Sequence, residues 1–237
     1  LGVSGAALGT LCAYIVVSLS MAWVAIFRNR ILALRQDTVP FRWVWHYVRN
    51  ATRISLPIAI QSVLMSGAQV VSTLIVAPLG NVAIAANSFA VTAESLCYMP
   101  GYGIGDAAST LVGQTHGARR LDLCRRFAYM TVALGMVVMA FMGAVMYVFA
   151  PEMISLLSPV DEIRALGTTV LRIEAFAEPF FAASIVTYSV CVGAGDTLKP
   201  ALMNLASMWC VRLTLAALLA PSYGLKGVWI AMAIELT

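Results

Sequence analysis

Residues 127–150 read FAYMTVALGMVVMAFMGAVMYVFA, a run of 24 residues without one charged side chain. A helix of about 20 apolar residues crosses the hydrocarbon core of a bilayer, because each residue adds about 1.5 Å of rise. Five further stretches of this kind occur, at about 4–27, 54–78, 83–113, 168–192 and 200–220, and a seventh begins near 227. The sequence therefore predicts an all-α integral membrane protein, a polytopic bundle of six full transmembrane helices and a truncated seventh.

The composition agrees with a lipid environment and argues against an enzyme. Hydrophobic residues make up 61% of the chain and charged residues 11%, whereas a soluble domain carries about 25% charged residues. The five cysteines are scattered, neither histidine has a matched carboxylate or cysteine neighbour, and no nucleotide-binding glycine loop or hydrolase motif occurs. We therefore expect no catalytic residues and no cofactor. Because both ends of the sequence look cut, we also expect a fragment of a longer chain.

The distribution of basic residues predicts the orientation in the membrane. The linker 28–53 holds six arginines, the loop 114–126 holds four, and Lys199 follows on the same side. The opposite side has only Arg164 and Lys226. Eleven basic residues against two is a strong positive-inside signal, so the linker 28–53 is predicted to be cytoplasmic and residue 1 extracellular. The net charge of +4 thus reflects topology, and we expect no nucleic-acid partner.

Three glutamates fall inside the predicted spans, where ionisable residues are expensive and usually functional. At about 1.5 Å per residue, Glu94 and Glu178 both lie roughly 15 Å below the outer surface, and Glu174 roughly 9 Å. Glu174 and Glu178 are four residues apart, so we expect them on one helix face. All three are candidates for binding a transported or coupling cation.

Arg212 lies in the sixth span at a depth of roughly 12 Å, between Glu174 and Glu178. A buried guanidinium needs a carboxylate partner, so one of these two glutamates is expected to form a structural ion pair with it. By the same depth count, Glu94 has no evident basic partner. Its charge is then available for a ligand.

Several stretches in register resemble one known family, the multidrug and toxic compound extrusion (MATE) transporters, in their C-terminal lobe. The resemblance rests on Pro57 within SLPIAIQ (55–61), on ESL (94–96) followed by MPGYG (99–103), on AASTLVGQ (107–114) with HGA (116–118), on EPF (178–180), on GAGDT (193–197) with Pro200, and on MWCVR (208–212). The match covers essentially the whole chain in the expected order.

This resemblance implies half of a twelve-helix, two-lobe transporter. Residues 1–27 would be the last helix of the N-terminal lobe, 28–53 the cytoplasmic linker, and 54–237 the C-terminal lobe, with the rest of the N-terminal lobe missing. Family members sit in the plasma membrane and export organic cations and other amphipathic compounds in exchange for sodium ions or protons. One departure concerns the helix after the linker, where some relatives carry an acidic residue and this chain has Gln61 within QSVLM (61–65).

The resulting hypothesis is an antiporter in which Glu94, Glu178 or Glu174 binds the coupling ion and the cationic substrate in alternation. A sodium ion at Glu94 or Glu178 would need further oxygen ligands, whereas a proton would not. Two alternatives stay open at this point. A lipid-linked saccharide flippase of the same superfamily would need a basic cavity, and an integral-membrane enzyme would need a catalytic constellation. The residues expected to support the site with polar groups or a helix bend are Pro57, Gln61, Asn87, Tyr188 and Asn204.

Overall fold

The computed structural model describes residues 2–28 and 44–237. Most of the predicted linker, including Arg30, Arg35 and Arg42, lies outside the described residues. The chain divides into two compact units, residues 1–48 and 49–237. The first unit contains α1 (Gly2–Trp23), which continues as a π-helical turn, Val24–Arg28, and the first residues of α2.

The second unit is built from helices alone, within the residues that the structure describes. After α2 (Trp45–Val76) and a 3-10 turn (Ala77–Leu79) come seven further helices. They are α3 (Asn81–Gly117), α4 (Leu121–Leu157), α5 (Asp161–Glu174), α6 (Glu178–Gly193), α7 (Leu198–Ala206), α8 (Leu213–Tyr223) and α9 (Leu225–Leu236). A π-helical segment, Ser207–Arg212, joins α7 to α8 without a break.

Among the described residues, five helical stretches are long and apolar enough to cross a membrane: Ala7–Phe27, Trp45–Leu79, Asn81–Gly117, Leu121–Leu157 and Leu198–Tyr223. Helices α5 and α6 together make a sixth, bent span. The predicted all-α membrane fold with six spans is thus confirmed. Helix α9 is 12 residues long and falls short of the roughly 20 residues that a span requires.

Helix α3 lies at the centre of the second unit and packs on α4, α5 and α6. Its buried face is a stripe of mostly small residues spaced three or four apart. Between helices in a membrane, small residues allow the close backbone approach on which association depends. A Cβ on Gly101 would stand 3.1 Å from Met139 Sδ, and one on Gly105 would stand 2.7 Å from Ser189 Oγ. Both glycines therefore pack closely against the neighbouring helices.

The fifth predicted span is broken between its two glutamates. Helix α5 ends at Glu174, α6 begins at Glu178, and the two helices are bent by 58°. Pro179 has no N–H to donate to the carbonyl of Ala175, four residues earlier. Instead, the Ala177 N–H donates to the Glu174 carbonyl at 2.8 Å and closes a tight turn. The expectation that Glu174 and Glu178 share one helix face is wrong, because the helix ends between them.

Helix α4 accommodates this break through a glycine. A Cβ placed on Gly143 would lie 2.7 Å from the carbonyl oxygen of Ala175 and 3.2 Å from the Cβ of Glu178. The first distance is shorter than any normal contact, so only glycine fits here without a shift of the backbone. The break thus packs directly against the middle of α4.

Candidate functional site

A cavity of about 480 Å³ opens inside the second unit, among α2, α3, α6, the α7–α8 span and α9. Its wall mixes polar and apolar side chains, as expected of a pocket for an amphipathic ligand. The charged lining residues are Glu94, Asp106, Glu235 and Arg212, so acidic groups outnumber the basic one. The polar lining residues are Gln61, Ser62, Gln69, Tyr98, Tyr102, Ser184, Tyr188, Ser189 and Asn204.

Glu94 is the deepest carboxylate in this wall, with 4% of its surface exposed. It belongs to α3, and Tyr98 and Tyr102 follow it at intervals of four residues on the same face. The two tyrosine rings meet edge to face at 5.5 Å, and Tyr98 also meets Phe181 of α6 at 6.0 Å. One helix face therefore presents a carboxylate beside an aromatic wall, an arrangement suited to an organic cation.

Glu174 and Glu178 lie behind the cavity wall, at the break between α5 and α6. Each is 1% exposed, and none of their four carboxylate oxygens has a hydrogen-bond partner among the described residues. Both are electrostatic neighbours of Glu94 and of each other. Like charges repel strongly in a medium of low polarity. The three glutamates thus form one acidic cluster, of which only Glu94 lines the cavity.

The structure does not form the ion pair expected between Arg212 and Glu174 or Glu178. In the part of the chain that the structure describes, all three salt bridges involve other, surface residues. The guanidinium group contacts the sulfur atoms of Met208, at 3.7 Å, and Met232, and its buried Nε has no partner. Depth along a helix does not determine which way a side chain faces. Arg212 instead lines the cavity together with Glu94, and its charge acts on both Glu94 and Glu174 without a salt bridge to either. The expectation that Glu94 has no basic neighbour is therefore wrong.

The supporting residues separate into two groups. Gln61 and Tyr188 meet in the cavity wall, where the tyrosine hydroxyl donates to Gln61 Oε1 at 2.6 Å and links α2 to α6. Asn204 also lines the cavity. Asn87 lies outside this lining, and its Oδ1 accepts a hydrogen bond from Trp229 Nε1 at 3.0 Å. Asn87 therefore joins α3 to α9. Pro57 lies within α2, in the turn before Gln61.

Four residues that the sequence did not predict as site residues also line the cavity: Tyr98, Tyr102, Asp106 and Glu235. The signal for three of them was present, because residues 94, 98, 102 and 106 recur every four positions on one helix face. Glu235 follows the apolar run of α9 near the end of the helix. Ionisable residues in such apolar segments are usually functional.

Within residues 2–28 and 44–237, no group of three or more histidine, cysteine, aspartate and glutamate side chains is arranged to hold a metal ion. A sodium ion at Glu94 would therefore need oxygen ligands of other kinds. The cavity wall offers hydroxyl and amide oxygens from Ser184, Tyr188 and Asn204. Such neutral oxygens are acceptable ligands for a hard cation.

Comparison with known proteins gives consistent matches. The family model described as MatE matches residues 57–218. The chain is 26% identical over 238 residues to the probable multidrug resistance protein NorM of Thermotoga maritima, covering 100% of this chain and 51% of that protein. It is 30% identical over 193 residues to the protein of that name from Pseudomonas aeruginosa, covering 78% and 40%. The chain thus spans about half the length of the curated relatives that it matches.

The fold is also similar to that of solved structures. A crystal structure of MATE in the straight conformation aligns with a TM-score of 0.85 at 20% identity, covering 99% of this chain and 53% of that one. At this level of identity, the likeness concerns the fold alone.

Proposed function

Because this chain belongs to the MATE family of transporters, we propose that it forms the C-terminal half of a secondary transporter in the plasma membrane. This transporter exports organic cations or amphipathic drugs by antiport with sodium ions or protons. In this proposal, residues 1–27 end the N-terminal lobe, 28–53 form a cytoplasmic linker, and 54–237 form the C-terminal lobe. The partners of the chain are then the substrate, the bilayer and the remainder of the N-terminal lobe.

One observation carries the proposal. Glu94 lines an open cavity and is the electrostatic neighbour of two further buried glutamates, whose carboxylates have no hydrogen-bond partner among the described residues. A carboxylate at this depth is costly to leave charged and unpaired. Binding of a cation relieves that cost, and a second cation then gains far less. Two cationic ligands therefore compete for the cluster, and such competition is the basis of antiport.

The aromatic face beside Glu94 supports an organic substrate. A drug cation is attracted by the charge of the carboxylate and also contacts the rings of Tyr98 and Tyr102. A sodium ion or a proton interacts chiefly with the charge. The acidic excess of the cavity also favours a cationic substrate over an anionic one.

The test is Glu94→Gln in the full-length protein, which keeps the size and hydrogen-bonding capacity of the side chain but removes its charge. We expect the variant to fold and insert, because no salt bridge is broken. Export of ethidium from proteoliposomes under an imposed ion gradient should fall at least tenfold, equivalent to about 1.4 kcal/mol in barrier. Glu162→Gln, on the exposed first turn of α5, is the matched control and should export normally.

Applying the sodium gradient and the proton gradient separately identifies the coupling ion in the same vesicles. Normal export by Glu94→Gln under either gradient would contradict the proposed role of Glu94. Failure of the variant to insert would instead show that Glu94 is a structural residue.

A further inference from the structure

A second cleft, of about 550 Å³, lies between the end of α4 and α5 and shares no lining residue with the acidic cavity. Its walls are polar and charged although both helices belong to the membrane domain. The lining residues are Pro151, Glu152, Ser155, Arg164, Ala165, Thr168, Thr169 and Arg172. The proposed transport cycle uses none of these residues.

Arg172 is held in this cleft by a defect in α4. Pro151 has no N–H, so the carbonyl of Tyr147, four residues earlier, lacks its normal helical donor. Arg172 Nε donates to that carbonyl at 3.3 Å, and the guanidinium lies 5.3 Å from the centre of the Tyr147 ring. No carboxylate lies within 4.0 Å of Arg172 among the described residues. The group is therefore fixed in position while its charge is not neutralised by the protein.

Arg164 is positioned in a similar way near the beginning of α5. Its Nε donates to the Ser158 carbonyl at 2.8 Å, and its Nη1 lies 3.5 Å from Asp161 Oδ1. Arg164, Thr168 and Arg172 follow each other at intervals of four residues and thus lie along one face of α5. Eight residues separate the two arginines by about 12 Å along α5, and Arg164 is already paired with Asp161. A single phosphate group can therefore be held by the Arg172 guanidinium and the Thr168 hydroxyl, one turn away, but not by both arginines.

The position of the cleft in the bilayer indicates where such a phosphate comes from. The charge distribution of the loops puts the α4–α5 connection on the extracellular side. Arg172 lies about four residues, or roughly 6 Å, inside the predicted span, within reach of the headgroup region for an arginine side chain. Tyr147 is the kind of residue that is enriched at this interface.

Glu152 adds a second requirement. Its exposed carboxylate lies in the same cleft and has no salt bridge in the described part of the chain. Beside two arginines, it opposes an entirely anionic ligand and favours one that also carries a positive charge. A phosphodiester with a nearby primary ammonium group satisfies both signs.

We propose that this cleft binds the headgroup of an outer-leaflet phosphatidylethanolamine, with the phosphate on Arg172 and Thr168 and the ammonium on Glu152. The bound lipid neutralises the fixed charge of Arg172 and fastens α5 to α4 above the helix break. The inference does not depend on the transported substrate.

The test uses purified full-length protein and native mass spectrometry, with palmitoyl-oleoyl phosphatidylethanolamine or phosphatidylglycerol added to delipidated micelles. We expect phosphatidylethanolamine to bind more tightly, and Arg172→Gln to weaken its binding at least tenfold. Lys226→Gln removes one exposed positive charge from the same side of the membrane, outside the cleft, and should bind as the unaltered protein does. Equal binding of the lipid by Arg172→Gln and Lys226→Gln would overturn the proposal.

Two further variants keep the test decisive if Arg172→Gln does not fold. Thr168→Val, which removes the hydroxyl proposed to bind the phosphate beside Arg172, should also weaken phosphatidylethanolamine binding, and no effect would count against the site. Glu152→Gln should reduce the preference for phosphatidylethanolamine over phosphatidylglycerol, and an unchanged preference would contradict the role of the ammonium.

Inorganic phosphate is the last probe. Displacement of the lipid by phosphate at equal concentration would identify a site for free phosphate and refute the lipid assignment.

Discussion

Gly143 is the point where α4 touches the break between α5 and α6, and adding one methyl group there tests how tightly that break is packed. A Cβ would stand 2.7 Å from the Ala175 carbonyl oxygen and 3.2 Å from Glu178 Cβ. The nearer obstacle is backbone, so the helices must move apart. Overpacking of this kind lowers the free energy of unfolding by about 1–3 kcal/mol. The higher helix propensity of alanine than of glycine raises it by up to about 1 kcal/mol. We therefore expect Gly143→Ala to destabilise the protein on balance.

Gly103→Ala is the matched control, because a Cβ at this position of α3 meets nothing within 4 Å. It gains the same helix propensity without the clash, so the two variants should differ by about 1–3 kcal/mol. The assay is the midpoint of thermal unfolding of the full-length protein in detergent, followed by size-exclusion chromatography. On a scale of about 2–4 °C per kcal/mol for a domain of this size, the Gly143→Ala midpoint should lie several degrees below that of the control.

Because Glu178 is displaced as well, Gly143→Ala should also reduce ion-driven export per folded molecule. Equal midpoints for the two variants would show that the break can shift without cost. The acidic cluster would then not be held rigidly by α4.

Three other substitutions test contacts around the site. Arg212→Met should preserve folded yield, because the guanidinium contacts methionine sulfurs and an apolar replacement of similar length removes a partly buried charge. A large drop in yield, measured by fluorescence-detected size exclusion, would show that its attraction to Glu94 and Glu174 stabilises the fold. Tyr188→Phe removes the hydroxyl that donates to Gln61 and should cost about 0.5–1.5 kcal/mol in thermal stability, whereas an unchanged midpoint would mean that this bond is not maintained. A double-mutant cycle of Trp229→Phe with Asn87→Ala tests the hydrogen bond from Trp229 Nε1 to Asn87 Oδ1 and should give a coupling energy of about 1 kcal/mol in the same assay. Additive effects of the two substitutions would show that this bond does not stabilise the protein.

The spans could be predicted because hydropathy depends only on local composition and length. The break after Glu174 could not be read from hydropathy, since residues 168–192 contain only three charged side chains and no polar run long enough to indicate a loop. The signal was Pro179, whose missing N–H ends the helix one turn earlier. Likewise, the depth count placed Arg212 level with Glu174 and Glu178 but carried no information on direction. Only the packing of α9, which supplies Met232, reveals where the guanidinium group lies.

The π-helical segment Ser207–Arg212 changes the angle around the helix axis at which the side chains of α8 follow those of α7. In a regular α-helix, positions 204 and 212 differ by about 80° around the axis, but a turn widened by one residue brings them within about 20° of each other. Asn204 and Arg212 can thus line the same cavity although they are eight residues apart. Deleting one residue from this segment would restore the α-helical repeat and leave the faces of α8 where they are, because seven α-helical residues turn through about 700°, as the eight residues do here. Leu213, Ala216 and Ala220, which are now buried, would then stay buried. Winding the same residues as a regular α-helix without a deletion would instead turn all three away from the core by about 100°, so the extra residue and the wide turn compensate for each other.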